Sequence, residues 1–294
     1  MRPIADPSAN PFATQAMHGL QRDDATFVHG FTLVELVVVI TITAILAAGA
    51  ALFIGNPTQS FFDSERRANL TDRTDTALRR MARDIRNALP NSVRTTTSGA
   101  DSLLEFVPVT GAGRYRASIG SNPSDNPLDF TNAADNSFDL LGFPMTVSSN
   151  SALVIYNLGI PGADVYQGSN RRSLNSASNT TTLSFSGSNF PLASPSSRFF
   201  ITSTPVSYVC DMTARTLWRY SGYSFQVSQP ASVAALDGLP SAVRHPLASN
   251  LNACQINYTS GVLERTGIAT IRLGMVEDNA QVTLMHQVNV VNSP

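Results

Sequence analysis

The sequence predicts an α+β fold: a long N-terminal helix, first transmembrane and then amphipathic, packed on a C-terminal β-rich head. Three observations predict it. Residues 31–54 are an unbroken apolar run in which Glu35 is the only charge. Leu70, Ala77, Leu78, Met81, Ile85 and Leu89 then fall at three- and four-residue steps, the spacing of a helix with one apolar face. From Ser102 onward the apolar residues come in short runs divided by polar, turn-forming stretches, the pattern of a sheet.

Residues 1–30 are polar and irregular, with Pro3, Pro7 and Pro11 and no periodic apolar pattern. They read as a leader. The apolar run that follows is long enough, at about 36 Å for 24 helical residues, to cross a hydrocarbon core of about 30 Å. Its β-branched stretch at 37–43 would suit a strand in water. In lipid a lone strand leaves its backbone groups unbonded, so helix is the expectation. Gly30 precedes the apolar run, so cutting there keeps the helix on the mature chain. An ordinary secretory signal is cut after its apolar stretch.

Gly55-Asn56-Pro57 predicts a kink or short break. The amphipathic continuation spans 55–90 and closes at Pro90-Asn91, with Asp63–Arg67 and Asp75–Arg79 as i,i+4 pairs. Seven arginines lie between Arg66 and Arg86, interleaved with Asp63, Glu65, Asp72, Asp75 and Asp84. That mixture predicts a solvated helix face in preference to a headgroup or DNA site. The head, 91–294, is expected to hold strands at 103–109, 152–157, 181–185, 198–208, 216–220, 251–258, 268–276 and 281–290, the last two as a hairpin. Long polar loops are expected at 167–180 and 221–250.

The formal net charge of −1 gives no global field toward nucleic acid, and none is expected as a partner. Two cysteines, Cys210 and Cys254, lie far apart and outside any CxxC spacing. In a chain that crosses a membrane they suggest one disulfide, with two buried thiols as the alternative. No GxSxG, HExxH or P-loop occurs, so no catalytic residue, cofactor or metal is expected and the chain does not read as an enzyme. Asp125, Asp129, Asp135 and Asp139 could supply oxygens to calcium, but their spacing follows no known loop. His286 reads as a packed or surface strand residue, and Trp218 and Tyr220 as core.

Gly30-Phe31-Thr32-Leu33-Val34-Glu35 resembles the prepilin signature of type IV pilins and type II secretion pseudopilins. The resemblance implies cleavage between Gly30 and Phe31 by a membrane peptidase that also N-methylates Phe31. It further implies that Glu35, the fifth mature residue, faces the N-terminal amine of a neighbouring subunit. Leaders of that family are commonly short and basic. This one is long, with Arg2 and Arg22 against Asp6, Asp23 and Asp24; translation from Met17 would leave fourteen residues before the cut. Arg66 and Arg67 outweigh the leader's basic charge, so the resemblance, and not the positive-inside rule, places the leader in the cytoplasm.

Residues 76–93, TALRRMARDIRNALPNSV, are similar to the spine of a minor-pilin group. That group holds the J-type pseudopilins, the PilW-type minor pilins and the MshO protein of mannose-sensitive haemagglutinin (MSHA) pili. Leu104-Glu105-Phe106, Gly113-Arg114-Tyr115-Arg116, Pro205 to Asp211, Leu217 to Tyr223 and His286-Gln287-Val288 resemble MshO in particular. The implied function is a minor pilin in MSHA-like pilus biogenesis, with placement at the filament tip. A J-type pseudopilin and a tip-displayed adhesin are the alternatives. Implied partners are the prepilin peptidase/methyltransferase, major and minor pilin-like subunits and inner-membrane lipid. The head would be periplasmic before export to the pilus.

Overall fold

A computed structural model describes residues 30–261, 266–278 and 280–294. The leader residues and the choice between Met1 and Met17 lie outside the described part. The chain is an α+β protein, an N-terminal apolar helix followed by a head made mostly of sheet.

The first helix, α1 (Leu33–Arg86), is continuous. The expected break at Gly55-Asn56-Pro57 is therefore corrected. An interior proline removes one i→i−4 bond, and helix established on both sides propagates past one missing bond. The chain forms two compact units, one ending at Thr58 and one running from Gln59 to Pro294.

In the second unit the strands are short. Before the 140s come β1 (Arg94–Ser98), β2 (Asp101–Phe106), β3 (Val109–Arg114) and β4 (Ser137–Asp139). Then follow β5 (Met145–Val147), β6 (Ala152–Val154), β7 (Arg171–Leu174), β8 (Ala177–Thr180), β9 (Thr182–Ser186) and β10 (Arg198–Thr202). The last third holds β11 (Val206–Asp211), β12 (Thr216–Ser221), α2 (Val233–Asp237), β13 (Val243–Ser249), β14 (Leu251–Thr259), β15 (Gly267–Glu277) and β16 (Ala280–Val290). They pair as β1-β2-β11-β12-β13, as β3-β10-β6-β7-β9-β4, as β14-β15-β16 and as the small ribbon β5-β8.

The sheet β1-β2-β11-β12-β13 and the sheet β14-β15-β16 share one core with α1. Leu78, Met81 and Ile85 of the helix are buried with Phe106, Tyr208 and Leu217 from the first and with Ile271, Leu273 and Val288 from the second. Residues 109–202, inserted between β2 and β11, build a second, aromatic core. Phe138 makes an edge-on contact with Phe199 at 5.5 Å and Phe185 tilts against Phe190 at 5.2 Å. Asp84 of the helix accepts from the Tyr208 hydroxyl at 2.7 Å and from Arg219 Nε at 3.0 Å, fixing the register of α1 on β11 and β12. Ile85 is fully buried, so Ile85→Ala is expected to lower head stability by about 3 kcal/mol, measurable as a reduced urea midpoint of the detergent-solubilised chain.

Several strand expectations need correction. The run 103–109 is two strands, split at Val107-Pro108, and 198–208 is two, split at 203–205. In each case a proline lacks the N–H that would continue the ladder. The expected loop 167–180 contains β7 and β8, and 221–250 contains α2 and β13. Pro246 hides β13 from a pattern reading. It is accommodated because β13 is an edge strand, and the register shifts between Leu217 and Trp218, opposite Pro246. The terminal hairpin forms as read, β15 pairing with β16 along its whole length. On α1, Asp63 pairs with Arg66 at 3.4 Å rather than with Arg67, whereas Asp75–Arg79 forms at 2.5 Å.

Candidate processing and assembly segment

Gly30 is exposed, and a Cβ built there meets nothing within 4 Å. Phe31 is 78% exposed, so the Gly30–Phe31 bond is open to another protein. Thr32 caps α1: its Oγ1 accepts from the Glu35 N–H at 3.2 Å and its carbonyl from the Leu36 N–H at 3.0 Å. Thr32-Leu33-Val34-Glu35 has the T-x-x-E spacing of a capping box. The cap itself comes from the Thr32 hydroxyl on the Glu35 backbone N–H, a role for Thr32 that the sequence reading missed. The carboxylate also sits in the first turn, where the helix dipole favours a negative charge.

Residues Leu33–Ala51 have a mean hydropathy of 2.4 and none is buried within the protein. Their 19 residues rise about 28 Å, long and apolar enough to cross a membrane. Thr41 Oγ1 donates to the Val37 carbonyl at 2.9 Å and Thr43 Oγ1 to that of Val39 at 2.7 Å. Both hydroxyls are satisfied within the helix, as a hydrocarbon surrounding requires.

In the head, Cys210 on β11 and Cys254 on β14 are disulfide-bonded, with Cα atoms 5.9 Å apart. The bond ties the central sheet to the C-terminal sheet. A larger polar feature escaped the sequence reading. Glu105 is fully buried, directly opposite Arg94 across the β1–β2 pair. Arg94 Nη2 and Nε lie 2.5 and 2.6 Å from Glu105 Oε2. The Tyr223 hydroxyl donates to Oε1 at 2.9 Å, and Ser207 Oγ lies 2.6 Å from that hydroxyl. Arg94 also donates to the Gln226 and Val227 carbonyls and stacks 3.5 Å from the Tyr166 ring. Burial raises the Glu105 carboxyl above its ordinary range, against the pull of Arg94. The available signal was a glutamate inside the otherwise apolar run 103–107.

The four aspartates whose spacing follows no calcium loop have protein partners. Asp125 accepts from the Gly120 N–H and pairs with Arg116 at 3.0 Å. Asp129 accepts from Thr131, Asp135 from the Asp129 N–H, and Asp139 from Asn126 and Thr182. Among the described residues no group of three or more His, Cys, Asp or Glu side chains is placed to hold a metal. Tyr220 is core, while Trp218 is half-buried against the Arg244 guanidinium, 4.7 Å from its ring. His286 is half-buried on β16.

Comparison with known families matches residues 27–51 to the prokaryotic N-terminal methylation motif. No curated protein and no solved structure matches. The matched stretch contains Gly30, Phe31, Glu35 and the apolar half of α1, so the chain carries a prepilin-like N-terminus of the kind found on processed pilins and pseudopilins.

Proposed function

We propose that this chain is a minor pilin-like subunit, cut between Gly30 and Phe31, methylated on Phe31 and held in the inner membrane by α1 until assembly. The observation that carries the reading is the methylation motif covering an apolar segment of α1, Leu33–Ala51, whose only charge is Glu35. A carboxylate inside a bilayer costs about 2.5–3.5 kcal/mol on insertion scales, a cost that a cationic partner offsets. In a filament that partner is the N-terminal amine of a neighbouring Phe31, which methylation keeps basic. The proposed setting is an MSHA-like type IV pilus. The β-rich head, with a large segment inserted between β2 and β11, supports a position at the tip, where neighbours do not surround the subunit. The Cys210–Cys254 bond is proposed to form as the head reaches the periplasm. Prepilin peptidase and other pilin-like subunits are the proposed partners.

The test is the N-terminal sequence and intact mass of the chain recovered from host membranes. The expected product starts at N-methylated Phe31, and Gly30→Ala is expected to leave the leader attached, more than nine-tenths of the chains remaining uncut (roughly, from loss of the close backbone approach that glycine allows). A wild-type chain with its leader intact, or cut beyond the apolar run, would overturn the proposal. Loss of the J-type pseudopilin reading requires secretion to persist, and piliation to fail, when the gene is deleted.

A further inference from the structure

At the end of α1 an open groove of about 460 Å³ runs over the outer face of β3 and β10. Its floor is apolar, with Val109, Ala112 and Phe200, and Val291 lies along its side. Three guanidiniums, Arg86, Arg114 and Arg198, line it with no carboxylate in the lining. None of the three has an ion-pair partner among the described residues. Nearby Asp84 is occupied by Tyr208 and Arg219.

The arginines are not placed alike. Arg86 ends α1, where the helix dipole favours a cation. Arg114 and Arg198 have no such reason. They are register partners across the β3–β10 pair, and like charges directly opposed on adjacent strands repel. Arg114 is held in place by donating from Nε to the Ser196 carbonyl at 3.1 Å. The folded head therefore maintains a concentrated, unneutralised positive site over an apolar floor.

A second observation bears on what neutralises it. β3 is the edge strand of its sheet. Its outer side bonds to Asn87 at Val109 and to Leu141 at Arg114, and among the described residues no other backbone bond is found on that side along 110–113. With glycine at 111 and 113 and alanine at 112, this edge is open to an added extended segment. A free phosphate or a sulfated sugar would use the guanidiniums alone. An extended peptide bearing carboxylates, with an apolar residue between them, would use the guanidiniums, the floor and the strand edge together.

We infer that this groove docks an acidic, extended segment of a partner protein. The inference stands on the groove and does not depend on the processing reading. The probe is a fluorescein-labelled peptide of alternating glutamate and leucine, titrated against the full-length chain in neutral detergent. Saturable binding is expected, with affinity falling as salt rises. Arg114→Gln with Arg198→Gln is expected to weaken it about tenfold, the scale of one lost charge-assisted contact. Arg272→Gln, an exposed arginine on β15, should leave binding unchanged. The double variant should melt no lower than the wild type, because a repulsion has been removed. A peptide that fails to bind, or binds the double variant equally, overturns the inference. So does displacement by inorganic phosphate or a sulfated hexasaccharide at concentrations where a second acidic peptide has no effect. A double variant that melts below the wild type overturns the argument from repulsion.

Discussion

Glu105→Gln is expected to destabilise the head by about 3 kcal/mol, although glutamine has nearly the same shape. Glutamine replaces one of the two acceptor oxygens with an amide donor, where Arg94 and Tyr223 both already donate. A buried polar group left facing another donor costs about 1–3 kcal/mol, and the upper end applies because Glu105 is fully buried. Adding Arg94→Gln to the first substitution should recover part of the loss, and urea unfolding of the four-member cycle measures the coupling. The same residue sets a pH dependence. Its carboxyl is raised above the ordinary value of 4.5 in the folded chain, so the folded state binds that proton more tightly than the unfolded state. Its contribution is fully present below the ordinary value and is lost as pH rises through the raised one. Stability of the wild type minus that of Arg94→Gln/Glu105→Gln should therefore fall with rising pH across that window. A difference that rises instead would refute the assignment.

Cys210→Ala with Cys254→Ala is expected to lower stability by about 4 kcal/mol. Closing a loop of 44 residues restricts the unfolded chain by roughly that amount in the chain-entropy treatment. For a head of this size the loss corresponds to a fall of about 10 °C in Tm. Cys210 is fully buried on β11, so alanine is used and not serine, which would bury a hydroxyl. The closed loop holds β12, α2 and β13. Scanning calorimetry of the wild type with and without reductant should reproduce most of the difference. An unchanged Tm in both comparisons would show that the cross-link does not restrain the unfolded state.

The helix was legible because its signal is local and periodic. Leu70, Ala77, Leu78, Met81 and Ile85 are all buried, as their spacing requires. The helix expected to reach 90 ends at Arg86, however, and Leu89 is buried beyond it with its N–H on the Val107 carbonyl. Thr41 and Thr43 lie inside a β-branched run that would suit a strand, yet the expected preference for helix holds over 33–51. The long terminal hairpin was legible for the same reason, since each strand carries enough residues to show its pattern. The shorter strands were not. Three residues at 137–139 or 145–147 are too few for a period, and their pairing depends on partners at least thirty positions away. At the N-terminus, Gly30, Phe31 and Glu35 stood out by motif, while the cap supplied by Thr32 was overlooked because the membrane explained the same residues. Arg94 and Glu105 could not be joined from sequence, since only the register of β1 on β2 brings them together.

The path of the chain around the second core has a further consequence. Phe106 closes β2 and Val206 opens β11, and the two are register partners. Everything between them leaves the central sheet and re-enters it at a single doorway. An excursion attached in this way can be lengthened, trimmed or exchanged without redirecting either strand, as domain insertions generally are tolerated where entry and exit adjoin. Apart from Tyr166, whose hydroxyl ties back to the Ser92 carbonyl, segment 109–202 is thus where added or exchanged sequence is best tolerated while the frame gripping α1 stays intact.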